Sequence, residues 1–184
     1  MAEKVRQQIM DAEGLNRTIA RLAHEIVERN RGTENLAILG IRTRGVSIAE
    51  RIISKIHAIE NTRLPLGILD VTMYRDDVFK KIQQPRVQTT EIDFDIDDKV
   101  VILVDDVLFT GRTIRAALDA IIDFGRPTKI ELAVLIDRGH RELPIHADYV
   151  GEHVATSLQD DIEVRLKQVD GMDGVFLVKS LKVN

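Results

Sequence analysis

The chain has 184 residues, a formal net charge of -4, 44% apolar residues, 4% aromatics, and no Cys or Trp. One domain, residues 1–184, is the expectation at this length, with a core of Ile, Leu, Val and Ala that suits a buried parallel sheet. The lack of cysteine excludes a disulfide framework, a Cys-ligated zinc site and thiol catalysis, and the acidic balance disfavours a globally basic nucleic-acid binder.

Residues 1–6 are charged with no apolar stretch behind them, so neither a signal peptide nor a spanning segment is expected, and the cytoplasm is the default location. Residues 12–31 predict an amphipathic helix: Leu15, Ile19, Leu22 and Ile26 form one stripe, and Gly32 stops it. Residues 36–41 predict a buried strand that runs into Arg42-Thr43-Arg44-Gly45. A second helix is expected over 47–60, with Ala49, Ile52, Ile53, Ile56 and Ile59 inward. Residues 66–73 read as a strand; residues 74–97 then turn polar and irregular, with Pro85, a loop length usually reserved for function or mobility.

The strongest strand signal lies at 99–104, a continuous β-branched run bounded by charge. Helix signals resume over 112–123 and end at Gly125, with Pro127 beyond. Residues 130–136 predict the next strand, and shorter ones are expected near 147–151, 162–166 and 175–178. This alternation implies an α/β fold: a parallel sheet with helices on both faces.

The chemistry concentrates in Val101-Ile102-Leu103-Val104-Asp105-Asp106-Val107-Leu108-Phe109-Thr110-Gly111-Arg112-Thr113. A buried strand delivers two carboxylates, a small-residue loop follows, and a helix begins. Ligands of open α/β sheets bind at the carboxyl ends of strands, and a helix start offers free N–H groups to a phosphate. Thr110 and Thr113 add hydroxyls, and Gly111 permits close backbone approach to an anion. Two acids repel a bare phosphate, yet they suit neutral hydroxyls. The combination describes a ribose 5-phosphate, with hydroxyls on Asp105 and Asp106 and phosphate on Thr110–Thr113. A solvated acidic turn with an N-capping Thr is the plainer reading of the acid pair taken alone. The G-x-x-x-x-G-K-[ST] loop and the dinucleotide fingerprint are both absent.

The thirteen-residue segment resembles the phosphoribosyl pyrophosphate (PRPP) motif of type I phosphoribosyltransferases. Gly40–Gly45, Tyr74-Arg75-Asp76-Asp77, Gly125-Arg126-Pro127 and Leu135–Ile145 are further similar to the pyrimidine operon regulator family, usually called PyrR. The resemblance implies the type I phosphoribosyltransferase fold, a parallel twisted sheet with a small hood. It also implies two roles: a uracil phosphoribosyltransferase making UMP, and a UMP- or UTP-dependent RNA-binding attenuator of pyrimidine genes.

In that reading Asp105 and Asp106 grip the 2′- and 3′-hydroxyls, and Val107-Leu108-Phe109-Thr110-Gly111-Arg112-Thr113 binds PRPP or UMP. Mg²⁺ arrives with PRPP, and no protein metal ligands are assigned. Arg42, Thr43 and Arg44 hold the departing pyrophosphate on a loop that carries a non-proline cis peptide in related enzymes. Arg75 and Asp77 belong to a loop that closes over PRPP, and Asp137 and Arg138 lie near the uracil. A homo-oligomer is expected. A nucleotide-sensing RNA binder with little catalysis and a purine phosphoribosyltransferase are the competing readings.

For RNA, Arg17, Arg21 and His24 make a basic line on the first helix, which His140 and Arg141 could extend. An ordinary solvated helix face, balanced by Glu25 and Glu28, accounts for the same residues. The chain also departs from the family at Ala20, where a hydroxyl residue is usual, and at His146 and Glu152, where basic side chains are usual. These departures predict weaker or differently specified RNA binding.

Overall fold

In the computed structural model, residues 4–75 and 89–180 are described. Asp77 and Pro85 lie outside them. Five parallel strands form the main sheet: β2 (Leu36–Ile41), β3 (Leu66–Leu69), β4 (Val100–Leu108), β5 (Lys129–Asp137) and β6 (Tyr149–His153), in the order β3-β2-β4-β5-β6. Helices α1 (Ala12–Asn30) and α2 (Arg44–Glu60) pack on one face, and α3 (Arg112–Ile122) packs on the other.

The hydrophobic stripe of α1 is buried through Leu15, Ile19, Leu22, Ala23 and Ile26. Each of the Leu and Ile side chains contributes about 1.5–3 kcal/mol relative to exposure. Asp11 caps the helix by accepting the Gly14 N–H at 2.7 Å, and Arg31 ends it in the left-handed conformation, one residue before Gly32.

Helix α2 starts at Arg44, three residues before the expected position, so its first turn forms the end of the Arg42–Gly45 loop. A Cβ at Gly45 would lie 2.5 Å from the Val104 carbonyl oxygen; glycine is what lets this turn press against β4. Ile48, Ala49, Ile52, Ile53 and Ile56 face the core, whereas Ile59 is 40% exposed because the last turn projects past the sheet. The expected 66–73 strand stops at Leu69: Asp70 Oδ1 accepts both the N–H and the hydroxyl of Thr72, at 2.9 and 2.6 Å, and turns the chain into a 3-10 turn over Thr72–Tyr74. Glu91 pairs with Ile68 through two 2.8 Å backbone bonds.

The hood is a three-stranded antiparallel sheet, β1-β8-β7, from β1 (Lys4–Met10), β7 (Asp161–Arg165) and β8 (Gly174–Ser180). A one-turn helix α4 (Lys167–Asp170) precedes β8. Strand β1 was not anticipated from the sequence. Its side chains from Val5 to Gln8 are exposed, so no apolar alternation marks it.

Candidate active site

Strand β4 does not stop at the acids. It continues to Leu108, pairing Asp105 with Val134 and Leu108 with Asp137 of β5. The acids therefore sit on a rigid ladder, and the loop begins only at Phe109. Asp105 is buried at 7% exposure, and its Oδ1 accepts the Asp106 N–H at 2.9 Å. Burial first, and then the neighbouring Asp106 charge, push the Asp105 carboxyl well above the usual carboxylate range; the Arg75 charge opposes this. Asp106 accepts the Val107 N–H at 2.8 Å and lines a 250 Å³ cleft under the hood with Arg6, Arg44, Ile162 and Glu163.

A second cavity, of 410 Å³, is lined by Arg75, Glu142 and every residue from Val107 to Ile114. Gly111 has φ +92°, a conformation glycine adopts without penalty, and it starts α3. Among the described residues none accepts a hydrogen bond from the backbone N–H of Phe109, Thr110 or Gly111. These amides, with the positive end of α3 behind them, form a cradle for an anion. The two carbonyls of the same turn point the other way. Phe109 O accepts from Arg141 at 2.8 Å, and Thr110 O accepts the N–H groups of Glu142 and Leu143 at 3.0 and 3.3 Å. Arg112 pairs with Glu142 at 2.6 Å.

The Arg42–Gly45 loop leaves β2 beside β4, and its Arg42–Thr43 peptide is cis. Arg42 donates to Thr89 O at 2.8 Å and Glu91 Oε1 at 2.9 Å, and its Nε is buried without a partner. Thr43 is exposed, and Thr113 is half-buried in the first turn of α3. Arg44 grips Asp170 of the hood. Sequence reasoning missed the hood residues Arg6, Asp161, Ile162 and Glu163, and also Glu91 and Asp170. Nothing in a linear pattern marks a carboxylate that meets an arginine more than forty positions away.

The structure brings Arg75 and the Val107–Thr113 loop together around one cavity, and Asp106 and Arg44 together in the cleft under the hood; Asp105, Arg42 and Thr43 line neither. It separates others. Arg138 is only 6% exposed; it stacks on Phe109 at 4.1 Å and donates to Thr156 Oγ1, Ser157 O and Asp160 O, so its side chain holds the β6–β7 connection to the sheet. Asp137 Oδ1 accepts the Gly139 N–H and Oδ2 accepts from Arg141. Burial alone would raise the Asp137 carboxyl; hydrogen bonds from Arg141 and Gly139 outweigh it and hold the group below its usual value.

The expected basic patch divides in two. Arg17 and Arg21 line an open 590 Å³ cavity with Glu152, where Arg17 pairs with Glu13, and Arg21 pairs with Glu25 and donates to the carbonyls of Val150 and Gly151. His24 is exposed, with Nδ1 2.8 Å from Ala20 O. His140 and Arg141 belong instead to the framework of the anion cradle. His140 Nε2 lies 2.7 Å from Thr156 O and its ring meets the Phe109 ring edge-on. Arg141, expected on a solvent-facing basic surface, is turned inward, because Asp137 and three carbonyls provide it with acceptors there.

The model of the phosphoribosyl transferase domain matches residues 5–163. A protein of Pelotomaculum thermopropionicum named bifunctional protein PyrR is 56% identical over 173 residues, covering 94% of this chain and 96% of its own. One of the same name from Clostridioides difficile is 57% identical over 177 residues, covering 96% and 99%. The chain belongs to the PyrR family of phosphoribosyltransferases. Solved structures agree on the fold. A hypoxanthine phosphoribosyltransferase of Trypanosoma cruzi superposes with a TM-score of 0.73 at 15% identity over 98% of each chain. A hypoxanthine-guanine phosphoribosyltransferase of Bacillus anthracis gives 0.69 at 18% identity over 98% and 99%. The α/β sheet with its hood is thus the type I phosphoribosyltransferase fold. Among the described residues, no helix is long and apolar enough to cross a membrane, and no cluster of three acids, histidines or cysteines could hold a metal ion.

Proposed function

We propose that this chain makes UMP from uracil and PRPP with release of pyrophosphate, and that its uridine-nucleotide-bound form attenuates pyrimidine genes by binding their leader RNA. Phosphoribosyltransferase activity and pyrimidine operon regulation come with membership of the PyrR family. The observation that carries the catalytic reading is the juxtaposition of outward amides at Phe109–Gly111 with the Asp105–Asp106 pair on the same strand end.

The 5′-phosphate sits on the amides of Phe109, Thr110 and Gly111 and the hydroxyls of Thr110 and Thr113. Val107, Leu108 and Arg112 complete the cradle. Asp105 and Asp106 accept the 2′- and 3′-hydroxyls and place negative charge beside the ribose ring as the anomeric C–O bond breaks. No covalent nucleophile is needed, since positioning and electrostatics lower the barrier. Arg42 and Arg44, with Thr43, receive the pyrophosphate, and Arg75 flanks the cradle. Asp77 would act in the same closing loop. The Asp137–Arg138 turn borders the uracil through its backbone.

Mg²⁺ would arrive with PRPP, and the oxygen donors Asp105 and Asp106 are the residues that suit such a hard cation. When bound it would supply neutralisation of the pyrophosphate charge, while Asp105 and Asp106 would hold the ribose hydroxyls.

The test is a base panel. With PRPP and Mg²⁺, uracil should give UMP, whereas hypoxanthine and guanine should give no nucleotide. Turnover of a purine in preference to uracil would overturn the assignment.

For RNA, Arg17 and Arg21 are the phosphate contacts and His24 flanks them. Glu152 lines the same cavity and adds an opposing charge. Binding to a pyrimidine leader therefore depends on UMP or UTP and is salt-sensitive. Arg17→Gln should lower the magnitude of the log K against log salt slope by about 0.7–0.9. An unchanged slope would remove Arg17 from the interface. The protein is cytoplasmic and assembles as a homo-oligomer in this reading.

A further inference from the structure

The inward turn of Arg141 has a geometric effect on the anion cradle. Across a planar trans peptide the C=O and N–H point in opposite directions. The Phe109 carbonyl and the Thr110 N–H belong to one such plane. Arg141 Nη1 holds that carbonyl at 2.8 Å, and Arg141 is not among the residues that line the cavity. The Thr110 N–H is thereby aimed at the cavity. The next plane is treated in the same way, because the N–H groups of Glu142 and Leu143 hold Thr110 O, which turns the Gly111 N–H outward.

Arg141 is itself placed from three sides: Asp137 Oδ2 at 2.6 Å, Ile145 O at 2.9 Å and Gly139 O at 3.2 Å. Its ion pair is largely shielded, with 18% and 12% side-chain exposure for Arg141 and Asp137. A charge-assisted pair in that setting holds a turn more firmly than a solvated one.

We propose that Arg141 is the positioning residue of the phosphate cradle: it fixes the Phe109–Thr110 peptide with the Thr110 amide toward the 5′-phosphate, and does so from the turn that follows β5 and the base-side Asp137. The proposal rests on reading the Val107–Ile114 loop as that cradle. Arg141 touches no substrate atom; it acts through the orientation of the Phe109–Thr110 peptide plane.

Equilibrium binding of UMP and of uridine, which lacks only the phosphate, tests this on the whole chain. Wild-type protein should bind UMP more tightly than uridine. Arg141→Gln should weaken UMP binding by about tenfold or more, the loss of a charge-assisted hydrogen bond, while uridine affinity holds. A folded Arg141→Gln variant that keeps the wild-type preference for UMP overturns the proposal. So does equal weakening of both ligands, which would mark a general structural role. If the Gln variant does not fold, Arg141→Lys decides by the same criteria: it keeps the charge but cannot span the Phe109 carbonyl and the Asp137 carboxylate together. A wild-type protein with no preference for UMP would refute the cradle itself, a result distinguishable from failure of the Arg141 assignment alone.

Discussion

Arg44 presents Nη2 and Nε to the two carboxylate oxygens of Asp170, at 2.7 and 3.2 Å, and so ties the start of α2 to the short helix of the hood. Asp170 also accepts the Leu166 N–H at 2.9 Å. On the proposed assignment of Arg44 to the pyrophosphate, this carboxylate competes for the same guanidinium. Asp170→Asn should therefore raise the affinity for pyrophosphate, by about twofold to fivefold for a partly exposed pair. Calorimetric titration of pyrophosphate into the variant checks this. Weaker binding would mean that Asp170 orients Arg44 instead of competing for it.

A second acid on the hood gives a pH signature. Asp173 accepts from Arg51 at 2.7 Å and from the Lys167 N–H at 2.8 Å. The Arg51 hydrogen bond, the largest influence, holds its carboxyl below the ordinary 3.8. A depressed carboxyl stabilises the fold above its unfolded value and loses that contribution as pH falls through the folded one. Urea unfolding should show stability declining from about pH 4 downward, with a shallower decline in Asp173→Asn. Identical pH profiles for the two proteins would contradict the assignment.

Asp105 has the opposite sign. Its carboxyl is raised by burial and by Asp106, so stability is lost as pH climbs from the unfolded value through the folded one. Ionising this buried carboxyl therefore costs stability. Asp105→Asn can keep its side-chain oxygen on the Asp106 N–H and should raise the melting temperature, by roughly 2–4 °C for each kcal/mol regained. Scanning calorimetry at neutral pH reads this directly. A lower melting temperature would show that the charge is better accommodated than its burial implies.

How far the sequence revealed this molecule depended on whether burial and charge coincided with local pattern. The buried runs of β2 and β4 and the stripe of α1 were legible because apolar residues there face a core at regular spacing. The cradle was legible because a strand, two acids, a glycine and two threonines fall in consecutive positions. The edge strand β1 was not, since its first side chains are exposed. The end of β4 was misplaced because Asp105 and Asp106 look like a strand terminus, yet β5 continues to pair with them. Arg138 read as a neighbour of the uracil and Arg141 as part of a basic patch. Their acceptors are backbone carbonyls and carboxylates supplied by the fold, invisible to composition.

The most direct measurement is the rate of UMP formation from uracil and PRPP by a doubly substituted protein, Asp105→Asn with Asp106→Asn. The account predicts that turnover vanishes while the circular dichroism spectrum and cooperative unfolding remain those of a folded chain. Undiminished UMP synthesis by that folded variant would show that the neighbouring carboxylates of β4 do not carry the reaction.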